Sequence, residues 1–305
     1  MKKSLVSVFL IFIILLGFVG CKKTKTANFE IVVTNFPAYD FASNIIGDLG
    51  QVTLIIPPGG ESHSYEPTAK DIVKISECDL FIYNGGESES WVDDLLSSLS
   101  KKPQTVKMMD LTDEKIMVED DHGHSSHHHK EVDEHIWTSP VIANELLSGI
   151  SAKLCKISPA NSSVYEKNTK AYSDKLTALH KDFLALIDSS KRKTIVVADR
   201  FPFNYFAKEY GLSHYSAYNS CSEDAEPTPK VIAELVDVVN EEKIPILFYI
   251  EFSNKTVAAA VSEDTGVKTA LLHSCHNITQ KQLDEKVTYV DIMRQNLKVL
   301  KEALN

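Results

Sequence analysis

Residues 159–190 read PANSSVYEKNTKAYSDKLTALHKDFLALIDSS, and their periodicity decides the fold. Pro159 stands at the start, and nothing breaks the helical pattern until about Ser190. Tyr165, Thr169, Tyr172, Leu176, Leu179, Phe183 and Leu186 recur at alternating steps of four and three, which sets them on one helix face. About thirty residues at 1.5 Å each make a rod of roughly 45 Å. Helices inside ordinary domains average nearer a dozen residues. A helix this long at mid-chain is expected to be a rigid strut between two lobes.

The flanking sequence supports two lobes. Before the strut, strands are expected at Phe29–Thr34, Val52–Ile56, Asp79–Asn84 and Gln104–Met108. After it they are expected at Thr194–Ala198, Ser213–Ala217, Ile246–Ile250 and Thr269–Leu272. Most are continuous apolar runs, the pattern of a parallel strand covered on both faces. Helical patterns fall between them at Ala38–Ile46, Thr68–Ser76, Ser90–Ser98, Ala143–Ile157, Pro229–Glu241, Asn254–Thr265 and Tyr289–Leu304. The expected fold is therefore α/β: two lobes, each a four-stranded parallel sheet flanked by helices. The expected boundaries are 28–158, 159–190 for the connecting helix, and 191–305. A chain of 305 residues also exceeds what one core usually serves.

Residues 1–20 are expected to be an export signal rather than fold. Lys2 and Lys3 precede an almost wholly apolar run from Leu5 to Val19, short for a membrane span. Cys21 directly follows Val19-Gly20, which resembles a bacterial lipobox and implies lipidation of that Cys. Residues 21–27 then form a polar tether. The protein is thus expected outside the cytoplasmic membrane, lipid-anchored to its outer face or periplasmic. Lys+Arg total 32 against 42 for Asp+Glu; without residues 1–20 the balance is 30 to 42, net −12. Such acidity demotes nucleic acid as a partner. Mean hydropathy of −0.13 excludes a polytopic membrane protein.

The eleven His are unevenly placed. His122, His124, His127, His128 and His129 crowd a charged tract at 119–134 with no apolar period, expected to be a loop. Four others stand where a strand or loop ends before a helix, the usual ligand edge of open α/β sheets. His63 lies in Pro57-Pro-Gly-Gly-Glu-Ser-His-Ser-Tyr-Glu-Pro-Thr68 and His135 in Asp133-Glu-His-Ile-Trp-Thr-Ser-Pro140. The remaining two are in His273-Ser-Cys-His276. His180, on the long helix, and His214, in a strand, are expected to be structural or exposed.

With these motifs the chain resembles the zinc/manganese solute-binding lipoproteins of bacterial ABC importers, the cluster A-I metal-binding family, over nearly its whole mature length. Tyr83-Asn84-Gly85, Tyr205–Leu212, Phe248–Glu251 and Glu263–Gly266 carry further likeness, and the His-rich loop precedes the second motif as in zinc-type members. The resemblance implies a metal in the cleft between the lobes, with His63 and His135 as ligands from the first lobe. In the second lobe the chain departs from the family. Where a His is usual, after the strand Thr194–Ala198, it has Asp199-Arg200-Phe201-Pro202. Asp199 either supplies an oxygen ligand or belongs to a structural ion pair, and Arg200 binds that carboxylate or a neighbouring one. The family's last ligand falls on His273, and His276 could replace the missing His. Glu251 is a candidate acceptor behind a ligand imidazole, or a cleft residue with no metal role.

Neutral imidazoles suit Zn²⁺, whereas Mn²⁺ prefers more carboxylate oxygen. Zinc is the expected cargo, and manganese or iron gains ground should Asp199 and Glu251 both ligate. The loop His are expected to collect zinc near the cleft. Cys221 and Cys275 either form a disulfide pinning the ligand loop or supply a zinc thiolate. The resemblance implies a monomeric, non-enzymatic binder that delivers Zn²⁺ to an ABC permease and its ATPase. A cell-envelope zinc hydrolase is the alternative from another class, but the chain has no His-Glu-x-x-His and no Gly-x-Ser-x-Gly. An adhesin or zinc buffer would carry the same site.

Overall fold

The computed structural model describes residues 29–61, 63–119, 130–218 and 228–305. The export signal, Cys21, the five loop His and Cys221 lie outside them.

The first lobe runs β1 (Phe29–Val33), α1 (Phe36–Ile46), β2 (Gly50–Leu54), α2 (Ala69–Glu77), β3 (Leu80–Tyr83), α3 (Trp91–Ser98) and β4 (Gln104–Lys107). A two-stranded antiparallel ribbon follows, β5 (Met117–Glu119) with β6 (Lys130–Val132), then α4 (Pro140–Ile157) and the long α5 (Ser162–Ser189). The second lobe runs β7 (Thr194–Val197), α6 (Asn204–Tyr210), β8 (Ser213–Ser216), α7 (Pro229–Glu241), β9 (Ile246–Tyr249), α8 (Thr256–Thr265), β10 (Lys268–Leu271), α9 (Gln280–Asp284) and α10 (Tyr289–Leu304).

Both sheets are four-stranded and parallel, ordered β2-β1-β3-β4 and β8-β7-β9-β10. The same winding occurs twice. In each, the chain reverses direction across the sheet beside the first strand, and loops from the carboxyl ends of the strands open a crevice there. The buried strands explain the unbroken apolar runs: all four residues of β3 and the last three of β7 are buried.

Helix starts are written locally. Asn35 caps α1 by accepting from the Ala38 amide, with Pro37 in the first turn. Thr68 with Asp71, and Thr288 with Asp291, close reciprocal capping boxes on α2 and α10. The expected strut is α5, 28 residues and about 42 Å long. It is not free-standing. Tyr165, Tyr172, Leu176, Leu179, Phe183 and Leu186 are buried in one apolar cluster that also takes in residues of both sheets. Thr169, on the same face, donates its hydroxyl to Ser151 Oγ (2.7 Å) and so binds the helix to α4. Each such buried aliphatic or aromatic side chain contributes about 1.5–3 kcal/mol, which ties the lobes into one body.

Two features depart from the sequence expectation. The 119–134 tract is not all loop, because its ends pair as β5 and β6. Helices α6 and α9 were also not expected; at seven and five residues they are too short for a 3.6-residue period to stand out.

Candidate metal centre

His63 follows β2 on a turn that only glycines can make. Gly59 sits at φ +78°, and a Cβ on Gly60 would come within 2.9 Å of the Pro57 carbonyl oxygen. Gly60 N–H closes the turn on that oxygen (2.8 Å). Asn277, from the second lobe, donates its amide to the carbonyls of Pro57 (2.9 Å) and Gly60 (2.7 Å), and Gly59 N–H donates to Ile278 O (2.9 Å). The loop carrying His63 is thereby stapled to the one carrying His276.

His135 is 4% exposed and is held from behind. Asp133 Oδ1 lies 2.8 Å from the His135 ring Nδ1 and 2.8 Å from its backbone amide, and Asp133 Oδ2 accepts from Asn204 Nδ2 (2.8 Å). Burial alone would raise the Asp133 pKa, but these bonds hold its carboxyl below the usual range. An ionised Asp133 accepts only, so Nδ1 carries the proton and Nε2 keeps its lone pair for a metal. Tyr205 O–H adds a bond to the Asp133 carbonyl (2.9 Å). The short helix α6 of the second lobe therefore helps fix a first-lobe candidate ligand.

His276 sits in a turn whose preceding residue, Cys275, is left-handed (φ +64°). Glu251, just past β9, holds this turn. It accepts from Ser274 N–H (2.7 Å), from the Ser274 hydroxyl, and from His276 N–H (3.3 Å). Trp137 Nε1–H donates to Ser274 O (2.9 Å), and its ring lies 5.2 Å from that of His276.

These segments bring together His63, His135 and His276. Their ligand atoms lie within 4.8 Å of one another, with ring centroids 5.7–6.3 Å apart. The other candidates lie elsewhere. The buried His273 ring accepts from Cys275 N–H at Nδ1 (3.0 Å) and faces Glu251 (3.5 Å), outside the triad. Asp199 accepts the Arg200 amide (2.9 Å) and is also outside. Arg200 faces the triad's cavity and approaches Glu61 (Nη2–Oε2 3.5 Å). Cys275 is a free, fully buried thiol whose Sγ lies near the His273 carbonyl (3.9 Å), and Cys221, named with it as a disulfide or thiolate candidate, lies outside the described residues. Cys78 and Cys155 are likewise free. His180 bonds Tyr210 (3.0 Å) and His214 stacks on Phe201 (3.6 Å), both far from the triad in role.

Burial, then the neighbouring His135, pushes the His63 pKa down; burial followed by His135, His63 and Arg200 pushes that of His276 well down. The His63 and His276 rings thus present neutral nitrogen at pH 7. A tetrahedral zinc with bonds of about 2.0–2.1 Å needs nitrogens about 3.4 Å apart, so capture needs a closure of at most about 1.4 Å between any two of them. Asp133, Asn277 and Asn204 were not singled out from sequence; the Asp-x-His spacing was the one available signal.

The model of the family described as "Zinc-uptake complex component A periplasmic" matches residues 31–303. The chain belongs to this family. It is 36% identical to the zinc-binding lipoprotein AdcA of Streptococcus pneumoniae serotype 4, over 99% of this chain and 61% of that one. It therefore spans about three-fifths of that relative's length. To the high-affinity zinc uptake system protein ZnuA of Bacillus subtilis it is 33% identical, over 93% of this chain and 90% of the relative. The Zn(II)-bound ZnuA-like domain of Streptococcus pneumoniae AdcA superposes with a TM-score of 0.76, at 33% identity, covering 91% of this chain and 99% of that domain. The place of this family member's His cluster, between two like-wound sheets, is the crevice its topology provides.

Proposed function

We propose that the protein captures Zn²⁺ outside the cytoplasmic membrane and delivers it to an ABC permease and its ATPase. The observation that carries this reading is the convergence of three imidazoles, two from the first lobe and one from the second, on one point. The proposed ligands are His63, His135 and His276. Among the described residues this triad holds no carboxylate, which favours zinc over manganese. The names of its relatives, a zinc-binding lipoprotein and a zinc uptake protein, support the same cargo.

The protein binds and releases without chemistry. Because α5 is buried against both lobes, capture proceeds by a small lobe tilt and adjustment of the Asn277-stapled loops, not by wide hinge opening. Release follows when the permease draws the second-lobe loop away from His63 and His135, or when protons compete for the imidazoles. Lipid on Cys21 tethers the chain, and the His-rich loop raises the local zinc concentration. Calorimetry on a variant lacking residues 122–129 tests the reading. One tight zinc per chain is expected, abolished by His63→Ala with His135→Ala; tight binding surviving that double change would refute it.

A further inference from the structure

The cavity that holds the three His has a mouth, and one aromatic residue stands in it. Among the described residues lining the cavity Phe252 alone is exposed, at 51%, whereas His135, Ile250, Ser274 and Asn277 are buried and form its floor. Phe252 comes from the loop after β9 in the second lobe. Its ring reaches across to the first lobe, where Cε1 lies 3.7 Å from the place a Cβ on Gly59 would occupy. Gly59 belongs to the turn that carries His63. The ring thus bridges the two lobes on the solvent side of the cavity.

The backbone at Phe252 is left-handed (φ +59°). Glycine takes that conformation freely, while a bulky residue there is an outlier of the kind that clusters at ligand clamps and switches. The chain on either side is pinned. Glu251 accepts from the amides of Ser274 (2.7 Å) and His276 (3.3 Å), and Ser253 N–H donates to Ile250 O (3.4 Å). Lys255, also left-handed (φ +60°), donates its amide to Ser253 Oγ (3.1 Å), and its ammonium lies 4.4 Å from the centre of the Tyr249 ring. With both flanks tied, the freedom left at this position is rotation of the Phe252 side chain. Glycine would make the turn with less strain, so what the ring adds is cover for the cavity.

We infer that Phe252 is the gate of the zinc cavity, a ring that swings aside to admit the ion and closes over it against Gly59. This rests on the three-His zinc reading above and adds no donor to it. A hydrocarbon ring does not ligate zinc. Closing alike over the empty and the filled cavity, it favours neither state, so it slows capture and release together and leaves their ratio unchanged.

The test is stopped-flow exchange of zinc with a fluorescent chelator, in the full chain and in the variant lacking residues 122–129. Phe252→Ala should speed capture and release each by about tenfold, with the equilibrium affinity within about threefold of native. Phe252→Tyr, which keeps the ring, should exchange at the native rates. Phe252→Gly should exchange as fast as the Ala variant and melt higher than it, because glycine removes the left-handed penalty. Native rates in Phe252→Ala would overturn the inference. Faster release with unmoved capture would overturn it as well, making the ring a clamp on bound zinc. Fast exchange with a melting temperature below native in both the Ala and the Gly variants would trace the effect to a loosened loop and overturn it too. A native chain that takes up no zinc would refute the three-His site, and the gate with it.

Discussion

Asp133→Asn is the sharpest probe of how the cleft works, because it removes a charge and almost no volume. In the native protein one carboxylate oxygen serves the His135 ring and amide at 2.8 Å each, and the other serves Asn204. A hydrogen bond to a charged acceptor contributes about 1.5–3 kcal/mol and a neutral one about 0.5–1.5. The ring bond should therefore lose about 1–1.5 kcal/mol of its hold on the Nδ1–H tautomer, with zinc making His135 more cationic and the loss larger. Zinc affinity should fall about tenfold, within the 10–100-fold range typical of residues that orient a ligand imidazole. Competition against a fluorescent chelator, on the chain lacking 122–129, measures this. The Asn204→Ala variant, which leaves the His135 contact in place, should lose less. An affinity within twofold of native in Asp133→Asn would mean that His135 is oriented otherwise or does not ligate.

Other outcomes follow from the same geometry. His63 and His276 are depressed below the ordinary histidine pKa near 6.5, so zinc binding at pH 7.5 should release few protons, which calorimetry in buffers of differing ionisation enthalpy reads directly. Between 6.5 and their lower folded values the unfolded chain binds more protons, so metal-free stability should fall as pH drops through that window, and a flat melting profile there would contradict the shifts. Buried Asp40, bonded to Tyr172 O–H and Tyr289 N–H, is raised to about 7; its contribution is full below about 4 and lost as pH rises through 7. Asp40→Asn should then melt higher than native at pH 8 but not at pH 5. Asn277→Ala takes a donor from the Pro57 and Gly60 carbonyls, of which Pro57 keeps the Gly60 N–H, and should cost about 1–3 kcal/mol in chemical unfolding, along with weaker zinc binding; unchanged stability would show that the staple is not needed.

The backbone plan was legible because burial on both faces writes strands as unbroken apolar runs, and because the α5 face repeats over seven positions. Sequence periodicity failed where an element was too short to complete two turns, as in α6, or where a ribbon closed a polar tract, as in β5 and β6. Within the cleft, motif and family resemblance singled out His63 and His135, but no rule separates His273 from His276 three residues on. That choice is made by the left-handed turn at Cys275, which directs one ring to Glu251 and the other into the cavity. Residue 200 was flagged only as a departure from a family pattern. Its partner, Glu61, lies far away in sequence and becomes its neighbour only once the two sheets face each other. A bond such as Asn277 to the Pro57 carbonyl, spanning 220 residues, leaves no trace in local composition.

An anomalous-difference map at the zinc absorption edge, from crystals of the zinc-loaded protein, tests the whole account most directly. One strong peak should lie about 2.0–2.1 Å from a nitrogen of each of His63, His135 and His276. A peak bound instead through His273 or Asp199, or a cleft without a peak, would contradict it.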